Sequence, residues 1–206
     1  MNAAVGLRAH SGWAALVALA GPKASPSVVD RRHMELDDGK IKGARQPYHA
    51  AEGLPLARAE KLIGRCEETS RRLALDGLRT ALVALRKEHE VVGCGLLLAS
   101  GRPLGPLSDT LASHAKIHTA DGEHFRQALA HAGGQCGLPV ARVREKEVRR
   151  ELARAMGWAE EELDRRLADL GRKIGPPWRQ DEKLAAAASW LVLTQQLRVR
   201  RQESDH

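Results

Sequence analysis

Nine consecutive residues, Val91 to Ala99 (VVGCGLLLA), carry no charge. The run is short, Gly-rich and continuously apolar, which fits a central strand dry on both faces. A strand of that kind needs cover on both sides, so the chain is expected to build a layered α/β fold.

The rest of the chain supplies partners for it. Val5 to Ala20 reads as strand, tight turn and strand, with Ser11-Gly12 at the turn and Trp13 to Leu19 almost wholly apolar. Ser27 to Leu36 alternates well enough for a third strand with one exposed face, closed by Asp37-Asp38-Gly39. Residues Gly39 to Gly53 read as a loop holding Pro47-Tyr48-His49. Leu54-Pro55 then opens a long helix with Leu56, Ala59, Leu62, Ile63, Cys66, Leu73, Leu78, Leu82 and Leu85 on its apolar stripe. Gly64 and Gly77 are weak points in it. Beyond the central strand, Gly101 to Pro106 is expected to be a loop and Leu107 to His131 mostly helical. A short strand, Val140 to Val143, precedes helices over Glu145–Met156, Glu160–Leu170 and Lys183–Arg198, with a frayed tail over 199–206. An antiparallel meander followed by βαβ crossovers gives a mixed sheet flanked by helices, with extra helices at the C-terminal end. The whole is expected to be one domain, residues 1–206.

Composition narrows the partners. Lys and Arg number 33 against 26 Asp and Glu, a net charge of +7. Arg predominates, and its planar fork matches phosphate. The excess favours DNA or RNA as a partner, although Arg can also serve as a plain surface cation. Cys66, Cys94 and Cys136 form no CxxC pair, so neither a disulfide framework nor a cysteine zinc site is indicated. No 18-residue apolar stretch is present, so no membrane contact is expected and the cytoplasm is the expected location. Walker, GxGxxG and GxSxG motifs are lacking.

Three stretches, taken in order, resemble the RuvC-type Holliday-junction resolvases of the ribonuclease H-like superfamily. They are GLRAHSGWAALVAL (Gly6 to Leu19), the block from Val92 to Val148 that leads into GLPVARVREKEVRREL, and QDEKLAAAASW (Gln180 to Trp190). The resemblance implies a ribonuclease H-like α/β fold. It also implies a first-strand Asp, a fourth-strand Glu and two Asp at the last helix, holding two divalent ions such as Mg2+ or Mn2+ that activate water. This chain departs from that set. Arg8 or Val5 stands at the first position and Gly95 or Leu96 at the second, while Asp181 and Glu182 remain at the last helix. A cation at Arg8 would repel a metal ion.

The candidate residues follow from this. Asp181, Glu182 and Asp30 are candidate catalytic carboxylates. The first two also suit a helix N-terminus, and Asp30 suits a surface strand charge beside Arg31 and Arg32. Arg8 and His10, at the first hairpin, are candidates for binding phosphate or nucleic acid, or else belong to an ordinary polar turn. His114, His118 and Asp121 fall on one helix face at i, i+4 and i+7, a spacing that can ligate a metal or simply make a polar face. Trp178, beside Pro176-Pro177, can stack on a base or pack a loop. Three functions are therefore open: a divergent, non-catalytic nucleic-acid-binding protein; a metal-dependent nuclease with relocated ligands; and a protein-interaction module.

Overall fold

A computed structural model describes residues 1–99 and 104–204, with side chains up to residue 195. Part of the expected Gly101–Pro106 loop and the end of the tail lie outside the described residues. Five strands form one sheet: β1 (Asn2–His10), β2 (Trp13–Ala20), β3 (Ser27–Glu35), β4 (Glu90–Leu98) and β5 (Val140–Arg144). Their order is β3-β2-β1-β4-β5, with β1, β2 and β3 antiparallel and β4 parallel to both β1 and β5. The β1–β2 turn is tight because Gly12 adopts φ +86°, a left-handed backbone that a side chain would strain.

Seven helices are described: α1 (Pro47–Ala51), α2 (Leu56–Leu85), α3 (Leu107–Leu111), α4 (His114–Gln135), α5 (Glu145–Met156), α6 (Glu160–Ile174) and α7 (Gln180–Ser204). The segment read as a loop over Gly39 to Gly53 thus contains one short helix. The helical stretch from Leu107 breaks at Ala112-Ser113. The last helix begins three residues earlier than its apolar pattern indicates, which puts Asp181 and Glu182 in its first turn. Helix α2 passes through Gly64 and Gly77 without a break, but Leu56, assigned to its apolar stripe, is exposed.

The pleat sends alternate residues of the sheet to two cores. Val5, Leu7, Leu16, Cys94 and Leu96 meet α2 and α4 on one face. Ala4, Val17, Leu19, Leu97 and Val143 meet α5, α6 and α7 on the other. Burial raises the Cys94 thiol pKa to about 12, so the group stays a neutral hydrophobe. Val91 to Leu98 therefore lies as expected, inside the sheet with cover on both sides, while Ala99 falls just past the end of β4.

Helix α7 lies very close to the sheet. A Cβ on Gly6 would fall 1.8 Å from the Ala185 carbonyl oxygen, and one on Gly95 would fall 2.6 Å from that of Ala188. Hydrogen is the only substituent these positions accept, because the backbones of Ala185 and Ala188 lie directly against them. Ser189 completes the seam. Its buried hydroxyl donates to Ala4 O (2.8 Å) and accepts from Leu19 N (3.2 Å). The seam fixes where the first turn of α7 sits over the sheet.

Candidate functional site

The C-terminal ends of β1, β4 and β5 converge on one edge of the sheet, beside the starts of α5 and α7. Arg8, in β1, projects there. Its Nε donates to Glu145 Oε2 at 3.0 Å and its Nη2 to Glu145 Oε1 at 2.8 Å, while its Nη1 donates to Asp181 Oδ1. One guanidinium thus bridges the first residue of α5 and the first turn of α7. The side chains are 17%, 35% and 26% exposed for Arg8, Glu145 and Asp181, so solvent screens the network only in part. The hydrogen bonds to Glu145 hold the Arg8 pKa above its usual value, against the opposing effect of burial. His10 Nε2 accepts from Arg8 Nη1 at 2.6 Å and lies 3.1 Å from Asp181 Oδ1. The His10 ring stacks on Trp13 at 4.2 Å, and Trp13 stacks in turn on His33 at 4.6 Å.

Arg8 and His10 line a cleft of about 610 Å³ together with Arg126, Glu145, Lys146 and Arg149. The Nε atoms of Arg126 and Arg149 are buried without a hydrogen-bond partner. Burial lowers the Arg126 pKa, partly offset by Glu123 and Glu145. Arg149 is partly exposed and its Nη2 pairs with Asp164, so Arg126 is the less satisfied of the two cations and gains more from an anion that can reach its exposed nitrogens. The cleft suits phosphate better than a metal cation.

A pair of divalent ions does not fit these residues. The space between the Glu145 and Asp181 carboxylates is taken by the Arg8 guanidinium, which already supplies the neutralising charge. The β4 position is apolar as well. Leu7 is level with Leu96, so the same register puts Arg8 level with Leu97. The fourth-strand position beside Arg8 on the α7 face is therefore Leu97, and Leu96 points into the opposite core.

The other expected carboxylates lie apart. Glu182 turns back on its own helix, where Oε2 accepts from Arg179 N at 2.7 Å, a capping arrangement. Asp30 Oδ2 accepts from Arg32 Nε at 2.6 Å on the edge strand. Its β2 partner is Ala18, in the α2–α4 core and level with Val5, whereas Arg8 pairs with Ala15. Asp30 is thus three residues down the sheet and toward the other face, about 10 Å along the strand. Trp178 packs rather than projecting: its Nε1 donates to Leu167 O at 2.7 Å.

His114 and His118 do come together, with Nε2 atoms 3.2 Å apart. Asp121 shares their helical face, but its carboxylate is one layer deeper and 4% exposed. It accepts from Tyr48 N at 2.7 Å and pairs with His49 Nδ1. The third ring nitrogen near His114 and His118 therefore belongs to His49.

Sequence reasoning did not mark Glu145 as a site residue, and it noted His49 only as part of a long loop where functional residues collect, with no partner. For Glu145 a signal exists: it opens the helix directly after a parallel strand, at the sheet edge that carries Arg8. For His49 no short-range signal exists, because its position depends on α1 packing against α4.

No protein-family model and no curated protein matches the chain. Among the solved structures similar to it, two match over nearly their whole length. One is Thermus thermophilus RuvC in complex with a Holliday junction substrate (13% identity, TM-score 0.53, covering 96% of this chain and 96% of that one). The other is a further Thermus thermophilus RuvC structure (14% identity, TM-score 0.52, 95% of each chain). The ribonuclease H-like, RuvC-like fold that the three sequence stretches imply is the fold this chain adopts. At this identity the likeness concerns the fold alone. No helix among the described residues is long and apolar enough to cross a membrane.

Proposed function

We propose that this protein is a divergent ribonuclease H-like protein that binds DNA or RNA through the Arg8 cleft and does not cleave it by two-metal chemistry. One observation carries the reading: the Arg8 guanidinium lies between Glu145 and Asp181, where a resolvase would place its metal-binding charge. Arg126, Lys146 and Arg149 border the same cleft, and the chain as a whole is cationic. Electrostatic attraction to phosphate is sequence-independent, so the expected ligand is a nucleic-acid backbone rather than a particular base sequence. The junction substrate of the Thermus thermophilus RuvC structure makes branched DNA a rational probe. A cytoplasmic location and a single domain spanning 1–206 accompany this reading.

Labelled four-way junction, duplex and single-stranded DNA, with RNA alongside, are titrated by fluorescence anisotropy at 50 and 200 mM salt. Contact with about four phosphates weakens binding by about 100-fold over that range. The Arg126→Ala, Lys146→Ala, Arg149→Ala triple variant loses most of the affinity and flattens the salt dependence. No binding at 50 mM salt sinks the proposal and leaves the interaction module. Cleavage in Mg2+ or Mn2+ that disappears in Asp181→Asn also sinks it, in favour of a nuclease with relocated ligands.

A further inference from the structure

We propose that His49, His114 and His118 bind one divalent transition-metal ion of the zinc class, which pins α1 to the start of α4. The site is separate from the Arg8 cleft. On α4, His118 precedes Arg126 by eight residues, about 12 Å of helix.

Three features carry the assignment. The first is spacing. One ring nitrogen from each histidine lies within 4.8 Å of the others. The His114 and His118 Nε2 atoms are 3.2 Å apart, close to the edge of a tetrahedron with zinc–nitrogen bonds of about 2.0–2.1 Å. Two ring nitrogens at that distance require a shared proton or a shared cation between their lone pairs.

The second is orientation. His49 Nδ1 is engaged by Asp121, which leaves Nε2 as its free atom. Asp121 is itself held by the Tyr48 amide, so the His49 ring is fixed from behind. Glu52 Oε1 stands 3.8 Å from His114 Nδ1, outside hydrogen-bond range, so the ring supported from behind is that of His49. A carboxylate behind a ligating imidazole is the usual outer support of a histidine metal site.

The third is chemistry. Three neutral imidazoles suit Zn2+, Co2+, Ni2+ or Cu2+ and are poor ligands for Mg2+ or Ca2+. The fourth position is left to water, since Asp121 serves the His49 ring. His114 and His118 are exposed and His49 is partly so, which gives an ion a path in. The separation of the three histidines in sequence gives the ion a mechanical effect, because it would tie the 36–55 connection to α4.

The test uses the full chain, free of any affinity tag and stripped with chelator. Zn2+ titration by calorimetry gives one ion per chain, and Co2+ gives the visible absorption of a tetrahedral site. His118→Ala or His114→Ala weakens Zn2+ binding at least 100-fold, and Asp121→Asn weakens it 10- to 100-fold. His131→Ala, on an exposed position farther along α4, leaves it unchanged. Mg2+ produces no saturable signal. The histidine variants replace exposed side chains, and their circular dichroism checks the fold. Absence of saturable Zn2+ binding by folded protein overturns the proposal. So does binding that the His114 and His118 variants leave intact.

Discussion

Arg8 grips Glu145 edge to edge, with two parallel hydrogen bonds of 3.0 and 2.8 Å between guanidinium and carboxylate. The pair joins the end of β1 to the start of α5, and Asp181 shares the same cation from α7. Arg8→Ala removes the charge that lets two carboxylates stay close. The network is part-exposed, so the expected loss is about 2 kcal/mol rather than the larger penalty of a fully buried pair. In a chain this long that lowers Tm by about 4–8 °C. Urea denaturation measures it, and Glu145→Gln in the Arg8→Ala background recovers part of the loss. Strictly additive single and double variants show that the two residues are not coupled.

The same geometry makes a gain-of-ligand experiment possible. Arg8→Asp with Leu97→Glu replaces the cation and the apolar β4 position by carboxylates beside Glu145 and Asp181. The double variant is expected to be less stable than wild type in chelator and to regain stability in Mn2+. With Mn2+ at about 100 times its Kd the recovery is about 2.7 kcal/mol. Wild type should show no such dependence at equal Mn2+. A variant indifferent to Mn2+ argues that the backbone does not bring these positions together.

Gly6→Ala tests the seam under α7. The new methyl would fall 1.8 Å from backbone oxygen, with no flexible side chain to give way. Helix and sheet must separate, which also strains the Ser189 hydroxyl bridge to Ala4 and Leu19. The expected cost is about 3 kcal/mol or more, at the upper end for overpacking. Gly64→Ala serves as the contrast, because nothing lies within 4 Å of a Cβ there. It should stabilise the middle of α2 slightly, by up to about 1 kcal/mol. Equal melting temperatures for Gly6→Ala and wild type refute the close approach.

His124 predicts a pH dependence of stability. It is buried on α4, its Nε2 lies 3.0 Å from Ser70 Oγ, and its Nδ1 has no partner. Burial lowers its pKa to about 4, with Arg71 contributing. Below about pH 6.5 the unfolded chain takes up a proton that the folded chain refuses, so stability falls as pH drops from about 6.5 to 4. The loss is on the order of 3 kcal/mol at the acid end of that window. His124→Gln removes this part of the slope. A variant whose pH–stability curve parallels wild type between pH 4 and 6.5 refutes the assignment.

Strands were the most legible part of the sequence, because their signals are local. The uncharged run at Val91, the Ser11-Gly12 turn and the alternation after Ser27 each mark a strand without reference to the rest of the chain. The interior of α2 was legible for the same reason. The site was only half legible. Arg8, His10 and Asp181 could be found because they occupy the hairpin and helix start of a recognisable order. Glu145 carried a local signal, as the residue that opens a helix directly after a parallel strand, but its pairing with Arg8 depends on β1. His49 could be given no partner, because it acquires its role from α4, an element distant in sequence. Asp121 shows the limit of helical spacing. The angular position on α4 is as the i, i+4, i+7 pattern gives it, but the depth of the carboxylate is set by the α1 backbone.

Helix α4 carries His114, His118 and Asp121 at its start and Arg126 at the cleft, with Phe125 anchored in the core between them and the sheet. A continuous helix transmits restraint along its length. An ion held at the first turn would leave less freedom to lose when phosphate engages Arg126. The two ligands would then bind cooperatively without touching, and each would tighten the other by the same factor.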